Sequence, residues 1–266
     1  MGVTPVGGDN VGLNTGATKF AKSDVVELIN RLYLNAFQQE RLVPLNIDLN
    51  MRLILSPNDF VCKSAASAKG GQQKNYKFVI QSANLIIRTK KLTSKANKAL
   101  MDLLLTQNLV LHLSRVQLKH LSFPANQTSI NFDNILTGAL PDSVVVGLVS
   151  DRDLAGWYQR NPLNYQNFGV NRIKLKRNGT LRMAEGITQN FAKSQYIKAY
   201  STFLQELECD TEDKSVSLTP FYRANGYTLY AFNSTDGNIG QGRYGLRSKS
   251  STGSARLEIS FAAAVN

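Results

Sequence analysis

His112 and His120 are the two histidines of the chain, and they share strand parity eight positions apart. Along one extended strand that spacing separates them by roughly 26 Å, so they cannot hold the same metal ion. Cysteine offers no alternative. Cys62 and Cys209 are the only two, and neither Cys-x-x-Cys nor His-Glu-x-x-His occurs, so both fit reduced structural thiols better than zinc ligands. Gly240-Gln241-Gly242-Arg243-Tyr244-Gly245 has the spacing of a dinucleotide fingerprint. That motif works only where its glycines open a helix whose N-terminus meets pyrophosphate. The sequel LRSKSSTGSARLEIS has no helical period and reads as a hairpin or sheet connection.

Two groups of acids need the same scrutiny. Glu206, Glu208, Asp210, Glu212 and Asp213 concentrate negative charge without the turn glycine and ligand order of a hard-cation loop. They read as a solvated acidic turn or a contact for a basic neighbour. Asp151 and Asp153 have no identifiable partner for general acid-base work. The sequence therefore predicts no catalytic residue, no metal site and no cofactor, and a protein that is not an enzyme.

The remaining chemistry is cationic and aromatic. Lys and Arg number 31 against 19 Asp and Glu, a net charge of +12, which favours phosphate polyanions as partners. Arg172, Lys174 and Lys176 alternate as one strand face, with Arg177 and Arg182 beside an Asn178-Gly179 turn. Arg88, Lys90, Lys91, Lys95 and Lys98 lead into a helical pattern. Such clusters neutralise phosphates without reading bases. A merely solvated strand face and helix start is the plain alternative.

The segment GWYQRNPLNYQNF, residues 156–168, holds the single Trp and contains no acid, His or Cys. Trp157, Tyr158, Tyr165 and Phe168 would supply apolar area, Arg160 and Asn161 hydrogen bonds, and Pro162 stiffness. Aromatic and Arg enrichment with few acids is the composition of an interface centre. An aromatic mini-core closing one end of a sandwich accounts for it equally well, and both readings stay open.

These side chains need elements to carry them. With 266 residues, 42% of them hydrophobic, the chain can bury a core in one large β-sandwich or two small domains. No apolar run approaches the roughly 18–20 residues of a membrane span, and the N-terminus lacks a signal-peptide pattern. The expectation is a soluble chain of intracellular origin, with an arm or linker over 1–19 and one domain over 20–266. Alternation predicts strands at 45–55, 76–89, 109–121, 128–132, 143–149, 170–176, 195–203, 226–232 and 255–262. Residues 24–37 suit helix or strand, leaning to strand. The best helix is 93–105, with Thr93 or Ser94 at its start. Many short strands, one short helix and no strand-helix alternation predict an all-β fold, an antiparallel sandwich.

The run LPDSVVVGLVSDRDLAGWYQRNPLNYQNF resembles capsid-type proteins of the Polinton/Maverick and adintovirus group. Similar patterns lie in FAKSDVVELINRLYLNAFQQERL, the Asn178-Gly179 turn, GYTLYAFNSTDG and ARLEISFAAAV, together extending from about Asn10 onward. The resemblance implies a double jelly-roll major capsid protein related in architecture to adenovirus hexon, of which this chain matches the C-terminal jelly roll. It lacks the first sandwich and the usual Gly after Asn46, and it ends at Asn266 where relatives continue. The implied function is a structural subunit that self-assembles as a trimeric capsomer within a virion, built inside the host cell, in its cytoplasm or its nucleus, with non-specific contact to packaged DNA. The alternative is an accessory or domesticated jelly-roll module binding nucleic acid or glycan.

Overall fold

The computed structural model describes residues 19, 24–32, 43, 48, 50–62, 76–107, 116–141, 143–156, 161–181, 186–207, 218, 227–233 and 252–265. The chain divides into two compact units. One comprises Met1–Val11, Pro57–Tyr76 and Leu121–Asn266; the other comprises Gly12–Ser56 and Lys77–His120.

The described residues of the first unit include a single helical turn, α1 (Asn58–Val61), and are otherwise mainly antiparallel β. The helix α2 belongs to the other unit and spans Ser94–Thr106. The strands are β1 (Gln127–Ala139), β2 (Ser143–Gly147), β3 (Val170–Arg177), β4 (Thr180–Leu181), β5 (Ile187–Thr188), β6 (Leu229–Asn233) and β7 (Thr252–Val265), with helices α3 (Asp151–Leu154) and α4 (Ile197–Glu206) between them. One sheet has the order β1-β7-β3-β4 with β5 also paired to β3, and β2 pairs with β6 in a second.

Alternation fixes which way each strand faces. In β7, Ala255, Leu257, Ile259 and Phe261 are buried while Arg256, Glu258 and Ser260 take the other face. Ile173 and Leu175 of β3 join the first set, across from Ile259 and Leu257. These side chains meet Tyr230, Ala231 and Phe232 of β6, Leu148, and Ala199 and Phe203 of α4 in one core. The β3–β4 hairpin is closed by Asn178 and Gly179, with φ of 48° and 79°, between the paired residues Arg177 and Thr180. Two successive left-handed residues define the hairpin turn for which Asn-Gly is best suited. Asn178 also ties the turn to β7: its N–H donates to Ser254 O and its Oδ1 accepts from Ser254 N–H, both at 2.9 Å.

Several expectations need correction. Residues 195–203, expected as a strand, mostly enter α4. Aromatic and β-branched residues raise strand propensity there, but Ala199 and Phe203, four apart, share a helix face and both bury. The single helix expected is joined by α1, α3 and α4. The described parts of 24–37, 45–55, 76–89 and 109–121 carry no β-ladder. Alternation indicates how a strand would face, not whether a neighbour completes its hydrogen bonds.

In the second unit, Thr93 caps α2 by accepting from Ala96 N–H at 3.4 Å. Leu100, Met101 and Leu104 are half-buried along that helix. None of the described residues of this unit is buried. Among the described residues no helix is long and apolar enough to cross a membrane.

Candidate functional site

The outer face of the five-stranded sheet carries the predicted cationic stripe. Arg172, Lys174 and Lys176 stand opposite Ser260, Glu258 and Arg256 of β7. Arg172 is exposed; Lys174, Lys176 and Arg177 are half-buried. Arg182 lies outside the described residues.

The stripe is not purely cationic. Lys176 Nζ lies 2.6 Å from Glu258 Oε1, and Arg256 Nε is 3.1 Å from the same oxygen and 3.1 Å from Asp133 Oδ1. Asp133 reaches Arg256 because β1 bulges: Phe132 pairs with Leu257 and Leu136 with Ala255, so three β1 residues oppose Arg256. Asn134 within the bulge has φ of 53°. Two acids thus offset part of the charge that composition alone advertises. Sequence spacing could pair the cations with each other but could not show which acids cross the sheet to meet them.

The Lys176 hydrogen bond holds the Glu258 carboxyl below its ordinary range; partial burial opposes this, and the charges of Lys176, Arg256 and Lys174 add to the lowering. A depressed folded pKa contributes stability that is present above the unfolded carboxylate value of about 4.3 and is lost as pH falls through the folded value. In urea unfolding followed against pH, Glu258→Gln is expected to flatten the acid limb. An unchanged limb would show that the pair contributes nothing there.

The aromatic segment divides. Trp157, Tyr158 and Arg160 lie outside the described residues. Asn161 is exposed, and its Oδ1 accepts from Leu163 N–H at 3.0 Å. Pro162 and Asn164 are buried. Tyr165 lies against β2, with its ring where a Cβ on Gly147 would stand, 2.6 Å from ring carbon Cδ1. Its carbonyl accepts from Thr228 N–H at 3.0 Å. Phe168 packs on the core with φ of 43°. The structure therefore brings Tyr165 against β2 and Phe168 onto the core and leaves Asn161 and Leu163 facing out.

The other chemistry-bearing residues are dispersed. His120 and Cys62 are described, whereas His112, Cys209, the Gly240–Gly245 motif and four of the five clustered acids lie outside the described residues. The fifth, Glu206, accepts through Oε2 from Asn233 N–H and so ties the end of α4 to β6. Asp153 is 1% exposed and engaged within the fold. Among the described residues no three His, Cys, Asp or Glu side chains gather as a metal site.

No protein-family model matches the chain, and no solved structure matches it. It is similar to a protein of Caenorhabditis elegans, uncharacterized protein F54H12.2, with 22% identity over 227 residues, 82% of this chain and 50% of the relative. The chain thus spans about half the length of that relative.

Sequence reasoning passed over Asn171, Gln189 and Lys198, which meet Arg172 around a cavity beside β3. Nothing in their spacing marks them, because a bulge and the turn into α4 bring them together. Behind them Gln189 Nε2 donates to Tyr230 Oη at 2.5 Å. Burial pushes the Tyr230 phenol well above its usual pKa, and the Gln189 hydrogen bond opposes part of that rise. A folded pKa raised in this way stabilises the protein while the phenol is neutral in both states. That stability is lost as pH rises above the unfolded value of about 10. Tyr230→Phe is expected to cost about 1–3 kcal/mol near neutral pH, since it strands a buried amide N–H, and to weaken the alkaline loss of stability. Thermal unfolding at neutral and alkaline pH checks both.

Proposed function

We propose that the chain is a structural, capsid-type subunit that acts by self-assembly, with copies grouped as a trimeric capsomer and the cationic β3 face toward packaged DNA. The jelly-roll connection of the strands belongs to this proposal, as does an interface role for Trp157, Tyr158, Arg160, Asn161, Pro162, Tyr165 and Phe168.

The observation that carries the reading is the apolar surface of the second unit. Ile54 is 79% exposed, Ile86 78% and Val116 100% in the single chain, all in stretches that carry no β-ladder. Apolar side chains on a free surface favour association, because a neighbour can cover them. The sequence resemblance supplies the neighbour: another copy. The antiparallel β architecture of the first unit is compatible with that role and, alone, with many others.

Hydrogen exchange of the full chain at low and high concentration tests this. Residues 50–56 and 79–87 are expected to gain protection as concentration rises. Equal exchange at every concentration would remove self-association from the account.

Contact with DNA adds a separate expectation. Replacing Arg172 and Lys174 together with alanine removes two phosphate-neutralising charges, which flattens the slope of log affinity against log salt by about 1.8. Fluorescence anisotropy with a DNA duplex measures it, and an unchanged slope would place the DNA elsewhere.

A further inference from the structure

β3, β5 and the start of α4 surround an open cavity of about 780 Å³ whose wall includes Asn171, Arg172, Thr188, Gln189, Lys198 and Ser260. No aromatic side chain is among its described lining residues.

Three independent features meet here. The first is a bulge. Val170 pairs with Phe261 and Arg172 with Ser260, so Asn171 is the extra residue without a cross-strand partner on β7. Its carbonyl accepts from Gln189 N–H at 2.9 Å, which brings the two residues together at the cavity.

The second feature is a pair of unmatched acceptors. Gln189 is only 6% exposed; its Nε2 is taken by Tyr230, while its Oε1 is buried without a donor, as is Asn171 Oδ1. Buried carbonyl oxygens without donors are penalised and uncommon in folded proteins, so two at one cavity point to a donor from outside.

The third feature is positive charge. Arg172 and Lys198 are both exposed at the cavity. Lys198 lies in the first turn of α4, whose N-cap Tyr196 makes no side-chain cap hydrogen bond. The first turn of this ten-residue helix adds the positive end of its dipole and the N–H groups that have no intrahelical acceptor.

We propose that this cavity binds a small hydroxylated anion, a sugar bearing a carboxylate or a phosphate. The anionic group sits between Arg172, Lys198 and the start of α4, and the sugar hydroxyls donate to Asn171 Oδ1 and Gln189 Oε1 as the wall adjusts to admit them. DNA fits the site poorly: its sugar-phosphate backbone presents acceptors and no hydroxyl donor, and the described wall offers no ring for base stacking. The site shares Arg172 with the DNA contact proposed above but selects a different ligand, and it stands or falls independently of assembly.

Saturation-transfer NMR on the full chain tests the proposal and tolerates large assemblies. The probes are glucuronic acid, glucose 6-phosphate, glucose and inorganic phosphate. At least one of the two sugar anions is expected to bind, with glucose and inorganic phosphate each at least about tenfold weaker, as when one charge-assisted or one hydroxyl contact set is lost. The comparison between the two sugar anions tells carboxylate from phosphate. Arg172→Ala and Lys198→Ala, both at exposed positions, are each expected to weaken binding by about tenfold. Asn171→Ala should weaken the sugar anion but not inorganic phosphate. Binding of neither sugar anion overturns the proposal, as does binding of glucose with equal affinity. Inorganic phosphate binding as tightly as the tighter of the two sugar anions overturns it too.

Discussion

Phe232→Ala is expected to destabilise the first unit by about 3–5 kcal/mol. Phe232 is 1% exposed in β6, pairs with Val144 of β2, and belongs to the core shared by both sheets and α4. Truncation removes the ring's contacts with every layer at once, and the strands around it are held by hydrogen-bonded ladders that resist collapse into the void. With a urea dependence of about 2 kcal/mol per molar, the midpoint falls by roughly 1.5–2.5 M. Phe232→Leu, which keeps most of the volume, is expected to lose less than half as much. A midpoint shift for Phe232→Ala no greater than that of an exposed-site variant would mean that the two sheets do not share a core there.

Gly186→Ala carries the second large effect. Gly186 has φ of +72°, and a Cβ there would stand 2.5 Å from Lys174 Cγ and 2.7 Å from the carbonyl oxygen of Ile173. The left-handed backbone alone costs an alanine roughly 1–2 kcal/mol. The collision with β3 backbone cannot be relieved by turning a side chain, so the total is expected to reach about 2–4 kcal/mol. Gly169→Ala separates the two causes: its φ is +67° and nothing lies within 4 Å of the added Cβ. It is expected to cost only the backbone part. Equal losses for the two variants in urea unfolding would mean that β5 does not press on β3. Because Gly186 immediately precedes β5, the same change is also expected to loosen the cavity wall at Thr188 and Gln189.

The parts of the fold that were legible in the sequence are those where one physical rule acts alone. β3 and β7 alternate cleanly because one face is core and the other solvent, and their positions follow from Ile173, Leu175, Leu257 and Ile259. Asn178-Gly179 announces a hairpin because two successive left-handed residues favour those types. Thr93 announces α2 because its hydroxyl matches an orphan N–H. Where two rules compete, the reading failed. Tyr196, Ile197, Tyr200 and Phe203 have strand propensity but helix spacing, and burial of Ala199 and Phe203 decided for α4. In the described parts of residues 45–55 and 76–89, alternation in the first and β-rich composition in the second were read as strands, although a ladder depends on a neighbour that neither names.

The candidate site was legible in part for similar reasons. Arg172, Lys174 and Lys176 share a face because strand parity is local. Glu258 meets Lys176 through an 82-residue separation, and no local pattern foretells that pairing. Tyr165 and Phe168 illustrate the limit of composition: a segment rich in aromatics suits an interface and a mini-core alike, and only packing separates the residues that face Gly147 and the core from those that face out. Asn171 was hidden more deeply still, since a bulge residue reads as an ordinary strand position until its neighbours are paired.

The central claim, that copies of this chain work by covering one another's apolar segments, is tested most directly by the mass of the intact chain in solution. Size-exclusion chromatography with light scattering, run across salt and concentration and followed by electron microscopy, should find trimers or multiples of them forming regular particles. A strict monomer at every salt and concentration would contradict the account.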